Sequence, residues 1–154
     1  MRFGKVKQQR RVLLLALYIL NKVYSLATPR RQKVLRFIRS SGLLFIPQKD
    51  EESCDAGCQI WEEEVSWHRN WLKNEGYIKM PEYGIWQITE KGERDVEAWA
   101  QRIKKLTESK PDWAQNFEAQ ADPETEYADD FHYEFYITKE AVHWGVKTAG
   151  GLTK

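Results

Sequence analysis

The stretch IWEEEVSWHRNWLKNEG carries Ser66, Arg69, Asn70 and Lys73 at helical spacing along one side. Their heads suit the edges of base pairs. An arginine fork spans O6 and N7 of guanine, and a carboxamide spans N6 and N7 of adenine. Trp61, Val65, His68, Trp71 and Leu72 fall on the opposite side, so the same segment also has an apolar stripe for a core. Glu62, Glu63 and Glu64 open the segment. They suit the positive end of a helix dipole, count against close approach to a polyanion, or accept from cytosine. For each polar residue on this face, a solvated helix surface is an equal alternative.

The cations are distributed unevenly. Residues 1–49 hold twelve Lys and Arg and no acid, whereas the rest of the chain holds twelve Lys and Arg and all 23 acids. A net charge of +1 therefore conceals one segment at +12 and another at −11. Such asymmetry points to an anionic partner for the basic segment, or to one segment neutralising the other. Arg10, Arg11, Arg30, Arg31, Lys33, Arg36 and Arg39 are candidate clamps on a phosphate backbone.

Other chemistries are poorly served. Cys54 and Cys58 form a C-x3-C pair with His68 as a conceivable third ligand and no fourth, so they read as two loop thiols and no metal is expected. Asp95, Glu108 and Lys110 match a D…E-x-K nuclease pattern in letters only. That chemistry places the Glu and Lys on a strand beside a bound cation, whereas here they end a helix. No Ser/His/Asp, Walker or dinucleotide signature occurs, no cofactor is called for, and the chain reads as non-catalytic. The opening MRFGKVKQQRRVLLLALYIL imitates a signal peptide, with SLA imitating a cleavage site. The reading adopted is a buried helix of a cytoplasmic protein, because nine apolar residues fall short of the roughly 20 that span a bilayer.

The elements that must position these residues follow from periodicity and punctuation. A first helix is expected over Lys7–Ser25, apolar nearly all round, and so either buried on several sides or part of a homodimer interface. A second follows in ATPRRQKVLRFIRSSG, with Thr28 as N-cap, Pro29 in the first turn and Gly42 past the end. LLFIP suggests a short strand, and QKDEESCDAG a polar loop. After the third helix, Gly76 stops the chain and YIKM–PEYG–IWQIT forms a hairpin, with Lys79 and Tyr83 as its candidate contacts. Thr89 caps a fourth helix whose apolar stripe is Val96, Trp99, Ile103 and Leu106. Beyond it, Glu108 to Glu140 holds ten acids and two bases among seven aromatic residues, with HYEFYIT as a strand and KEAVHWG as a helical turn.

Helix, helix, helix, hairpin, helix is the order of a winged helix, in which the third helix enters a groove and the hairpin is the wing. The segment WHRNWLKNEGYIKMPEYGIWQITEKG resembles the N-terminal domain of Mrr-type restriction endonucleases. In that domain a Trp-bearing helix runs into L-K-x-x-G, a strand, a Gly-containing turn, a second strand and I-T-x-x-G. The matching positions are Trp67, Leu72, Lys73, Gly76, Gly84, Trp86, Ile88, Thr89 and Gly92. The resemblance spans Leu13 to Trp99 and is sharpest over Trp67–Gly92; related endings occur in many winged-helix regulators. It implies binding of double-stranded DNA in a restriction or defence system, or in transcription regulation, without the nuclease domain.

The expected fold class is mainly α with a small β hairpin. Residues 1–110 form a winged helix-turn-helix, and residues 111–154 an acidic aromatic C-terminal extension. The alternative is a protein–protein interaction module that dimerises through its first helix and docks a partner through the acidic segment.

Overall fold

The computed structural model describes residues 3–44, 46, 51–52, 58–109, 147–148 and 151–152. Helix α1 (Phe3–Lys22) is followed by α2 (Arg31–Ser41) and α3 (Ile60–Asn74). Strands β1 (Ile78–Lys79) and β2 (Gln87–Ile88) then precede α4 (Glu90–Ser109), and β3 (Lys147–Thr148) pairs with β4 (Gly151–Leu152). The first five helical and hairpin elements form a winged helix. The small β3–β4 hairpin is not among the elements expected from the sequence, and β3 lies beside α4.

Helix α1 is the axis of the core. Every residue from Val12 to Leu20 is at most 3% exposed, because α2, α3, α4 and β2 each cover one side. The all-round apolarity is therefore satisfied within a single chain and no longer argues for a subunit interface. Polar tips are accommodated at the rim. The Tyr18 hydroxyl donates to Glu97 at 2.6 Å, Asn21 donates to Glu93 at 3.0 Å, and Lys22 pairs with the same Glu93 at 3.4 Å. The helix ends at Lys22, earlier than expected. The chain reverses through Ser25, whose φ is +56°.

The start of α2 departs from expectation. Thr28 is not its cap; Arg30 occupies that position, with extended backbone and no side-chain cap. The reason is tertiary. Trp86 N–H donates to the Pro29 carbonyl at 3.0 Å, Arg31 N–H donates to the Gly84 carbonyl at 2.9 Å, and Arg30 bridges Ile85. Residues 29–31 are held extended as a third rung of the wing, so the helix starts only after them. Pro29 also biases Thr28 away from helical backbone. At the other end Gly42, at φ +72°, caps α2 as expected, and Val34, Leu35 and Ile38 are buried. Leu43 and Leu44 plug the core without joining a strand.

Helix α3 begins with a capping box. Gln59 and Glu62 satisfy each other's free amides, and Glu62 Oε1 accepts from Gln59 N–H at 2.9 Å. After α3, Gly76 takes φ +87° and leads into β1, whose register with β2 pairs Ile78 with Ile88 and Lys79 with Gln87. Gly84 turns the wing at φ +83°. Ile78, Trp86 and Ile88 bury the inner face of the hairpin.

Thr89 knits this region to α4. Its hydroxyl donates to the Gly76 carbonyl at 2.6 Å and accepts from Gly92 N–H at 3.2 Å. Val96, Trp99 and Ala100 continue the core. The expected stripe residues Ile103 and Leu106, the segment Pro111–Glu140, HYEFYIT, KEAVHWG and most of the loop QKDEESCDAG lie outside the described side chains. No helix among the described residues is long and apolar enough to cross a membrane.

Gly92 is the tightest point of this joint. A Cβ there would run into the Tyr77 carbonyl oxygen and stand 2.7 Å from Ile88 Cγ1. Gly92→Ala should therefore cost about 1–3 kcal/mol despite alanine's better helix propensity. Urea denaturation checks this, and a variant as stable as the parent would show that α4 can shift away.

Candidate functional site

Helix α3 has four distinct sides when its residues are spaced at 100° each. Trp61, Val65 and Leu72 point into the core. Glu64, His68 and Trp71 turn toward α1. Glu64 accepts from Gln9 at 2.9 Å, His68 Nδ1 accepts from Arg10 Nε at 3.4 Å, and the Arg10 guanidinium lies 3.7 Å over the Trp71 ring. Glu62, Ser66 and Arg69 turn toward α2 and the wing. Glu63, Trp67, Asn70 and Asn74 run along the outward crest, with Lys73 exposed at its edge.

This division resolves the three consecutive glutamates. Glu62 is consumed by the capping box and Glu64 by Gln9, which leaves only Glu63 outward. The acidic helix start is therefore mostly internal bookkeeping of hydrogen bonds rather than a repulsive surface.

Two expected base readers do not stand on the crest. The Ser66 hydroxyl donates to the Glu62 carbonyl at 2.9 Å and accepts from Arg31 Nε at 3.1 Å, so it braces Arg31. Arg69 folds back over the Trp86 ring, 5.4 Å from its centroid, with Nη1 against the Met80 sulfur. Its Nε is buried without a partner. Burial lowers the pKa of Arg69, nearby Tyr83 opposes that shift, and Arg31 adds to it. A guanidinium held by a thioether and an indole beside a second guanidinium is weakly satisfied. Asn70 and Lys73, in contrast, are exposed as expected.

The expected clamps divide as well. Arg30 and Arg31 sit where the extended rung meets the wing, with Arg30 Nη1 about a van der Waals contact from the open face of Gly84. Lys33 and Arg36 are exposed on α2, Lys79 is exposed on β1, and Tyr83 is 95% exposed at the wing tip. Among the described residues, Arg30, Arg31, Lys33, Arg36, Arg69, Lys73 and Lys79 form no ion pair. Arg39 does not join them, because it pairs with Glu51 at 3.3 Å and donates to Gln59 at 3.3 Å.

Arg10 and Arg11 belong to another part of the molecule. Arg11 lies over Trp99 at 4.8 Å, and both arginines line a cleft of about 350 Å³ with Leu14, Trp71, Leu72, Tyr77, Asp95 and Trp99. Trp71 stacks on Tyr77 at 6.5 Å and Lys91 covers Tyr77 at 4.6 Å, so Arg10, Trp71, Tyr77 and Lys91 form a ladder from α1 to α4. Burial lowers the pKa of Arg10, opposed by Glu75. These cations serve packing between helices and stand apart from the wing.

The residue missed for this surface is Trp67, which is 70% exposed on the crest. The signal was in the spacing: Trp67 falls outside the arc of Trp61, Val65 and Leu72, where a core tryptophan would lie. No group of three or more His, Cys, Asp and Glu that could hold a metal occurs among the described residues, and Cys54 and Lys110 lie outside them.

The family model for the Mrr N-terminal domain matches residues 17–97, more than half of the chain. The chain therefore belongs to the Mrr N-terminal domain family, and no nuclease domain is detected in it. No curated protein and no solved structure matches it.

The seat of Arg69 generates a stability prediction. Its orphaned donor costs about 1–3 kcal/mol, more than the ~0.5–1 kcal/mol expected from a partly exposed cation over an indole. Arg69→Met keeps the aliphatic stem and removes the unpaired group, so unfolding free energy should be unchanged or higher. Loss of more than ~1 kcal/mol in chemical denaturation would mean that the guanidinium itself secures the wing.

Proposed function

We propose that this Mrr N-terminal domain is a non-catalytic module that binds duplex DNA in a restriction or defence system. The family supports the coarser half of that reading, a module associated with restriction systems. The DNA half rests on one observation: the side of α3 that faces α2 and the wing is lined with cations that no described carboxylate neutralises. Arg30 and Arg31 lie where the start of α2 meets the wing, Arg36 is exposed on α2, Lys73 lies at the crest edge and Lys79 lies on the wing, whose tip carries the uncharged, exposed Tyr83.

The major groove of B-DNA is about 12 Å wide and admits one helix. With α3 in the groove, the cations of α2 and the wing, which share one side of the helix, face one phosphate backbone. Arg31 is pre-positioned by Ser66, which lowers the side-chain entropy lost on contact. Arg30 is fixed at its backbone by the rung to Ile85. The unfavourable pairing of Arg31 with Arg69 is relieved when a phosphate approaches between the arms of the site, because an anion is attracted to both.

The test is a titration of duplex DNA by fluorescence anisotropy at several salt concentrations. Log affinity should fall linearly with log salt, by about 0.9 per phosphate neutralised. Arg36→Ala should weaken all sequences alike and reduce that slope by about 1. An affinity that does not depend on salt would remove the DNA reading.

A further inference from the structure

The outward crest of α3 and its flanks carry different chemistry. The side toward α2 and the wing holds the cations. The crest holds Glu63, Trp67, Asn70 and Asn74, at positions i, i+4, i+7 and i+11, and no cation at all. A surface selected only for phosphate would not place an exposed indole, with a half-buried carboxylate one turn before it, along its outward line. Each crest group instead has a partner on a base edge in the major groove. A carboxylate accepts from the amino group of cytosine, a carboxamide forks onto adenine, and an apolar side chain packs on the C5-methyl of thymine.

Trp67 is the unusual member. Its neighbour one turn on, Trp71, is capped by the Arg10 guanidinium at 3.7 Å and stacked on Tyr77. Trp67 is 70% exposed against 39% for Trp71, and along the crest it stands as the single large apolar group among short polar ones. A protein-binding hot spot is typically ringed by further contacts that exclude water. Here the neighbours along the crest, Glu63 and Asn70, are hydrogen-bonding groups with no partner among the described residues. The helix that carries them is fixed by its capping box at one end and by the Gly76–Thr89 joint at the other, so the crest is a rigid reading edge.

We infer that Trp67 is a specificity-determining residue whose indole packs on the C5-methyl of a thymine, with Asn70, one turn along, reading an adenine beside it. This rests on the duplex-DNA reading above and assigns the reading edge within that site. The flanking arginines and lysines then set affinity, and the crest sets which sequence is held.

Duplexes retained by the full chain from a randomised pool give the preferred site, and each thymine in it is then replaced by deoxyuridine, which removes only the methyl. For the parent, one replacement should weaken binding about fourfold, the value of one buried methyl-sized group. For Trp67→Ala, whose fold is checked by circular dichroism, that replacement should have no effect. Asn70→Ala should keep the sensitivity to deoxyuridine and lose preference at an adjacent adenine. The inference is overturned if no thymine is sensitive in the parent, or if Trp67→Ala remains as sensitive as the parent. It is equally overturned if Trp67→Ala binds every duplex like the parent but changes the mass of the protein in solution, which would make Trp67 a protein contact. A parent that binds no duplex even at low salt removes the DNA reading itself, and this inference with it.

Discussion

The need to cover α1 on every side organises this molecule. Nine successive side chains from Val12 to Leu20 are withdrawn from water, and no single neighbour can do that to a helix. Helices α2, α3 and α4 and the inner edge of the hairpin close around it. The exposed face of α3 is therefore a by-product of how its inner face is used. Trp61, Val65 and Leu72 are committed to α1, and the remaining sides are apportioned by what lies next to them.

Local signals hold wherever one residue determines its own backbone. Gly42, Gly76 and Gly84, expected past the end of α2, at the stop of α3 and in the hairpin turn, lie there with positive φ, and Thr89 caps α4. The winged-helix order and the burial of Trp61, Val65 and Leu72 follow from periodicity in the same way, whereas His68 and Trp71, expected on the same stripe, are half-buried and exposed. What was not legible depends on residues far apart in the chain. Thr28 lost its role because Gly84 and Trp86 claim the backbone of residues 29–31. Arg69 has the spacing of a base reader, but Met80 and Trp86 on the wing lie within reach of its long stem. Arg10 and Arg11 counted as part of one basic segment, yet the fold turns them toward Trp71 and Trp99. Charge along a sequence says nothing about which surface a helix will present.

The tryptophans show the same lesson in a residue type usually assigned to cores. Trp61, Trp86 and Trp99 are buried, Trp71 is partly covered by an arginine, and Trp67 is open to solvent. Within α3 alone, three indoles occupy three environments, separated by the 100° step of the helix rather than by any difference in chemistry. The arginines likewise split between indole faces, a serine brace and open solvent. Composition identified the groups available; the packing around α1 decided their employment.

The joint at Gly92 has a mechanical meaning. Thr89, Lys91 and Gly92 fasten the first turn of α4 to the end of α3 and the start of the wing, through Gly76, Glu75 and Tyr77. Beyond that clamp α4 continues to Ser109, a rod about 30 Å long at 1.5 Å per residue. Past Ala100, the last buried residue described on it, the helix runs on as a lever. A tilt of about 5° at the joint would carry its far end through roughly 2–3 Å over that length. A domain fused beyond Ser109 would therefore take its bearing from the same joint that fixes the wing.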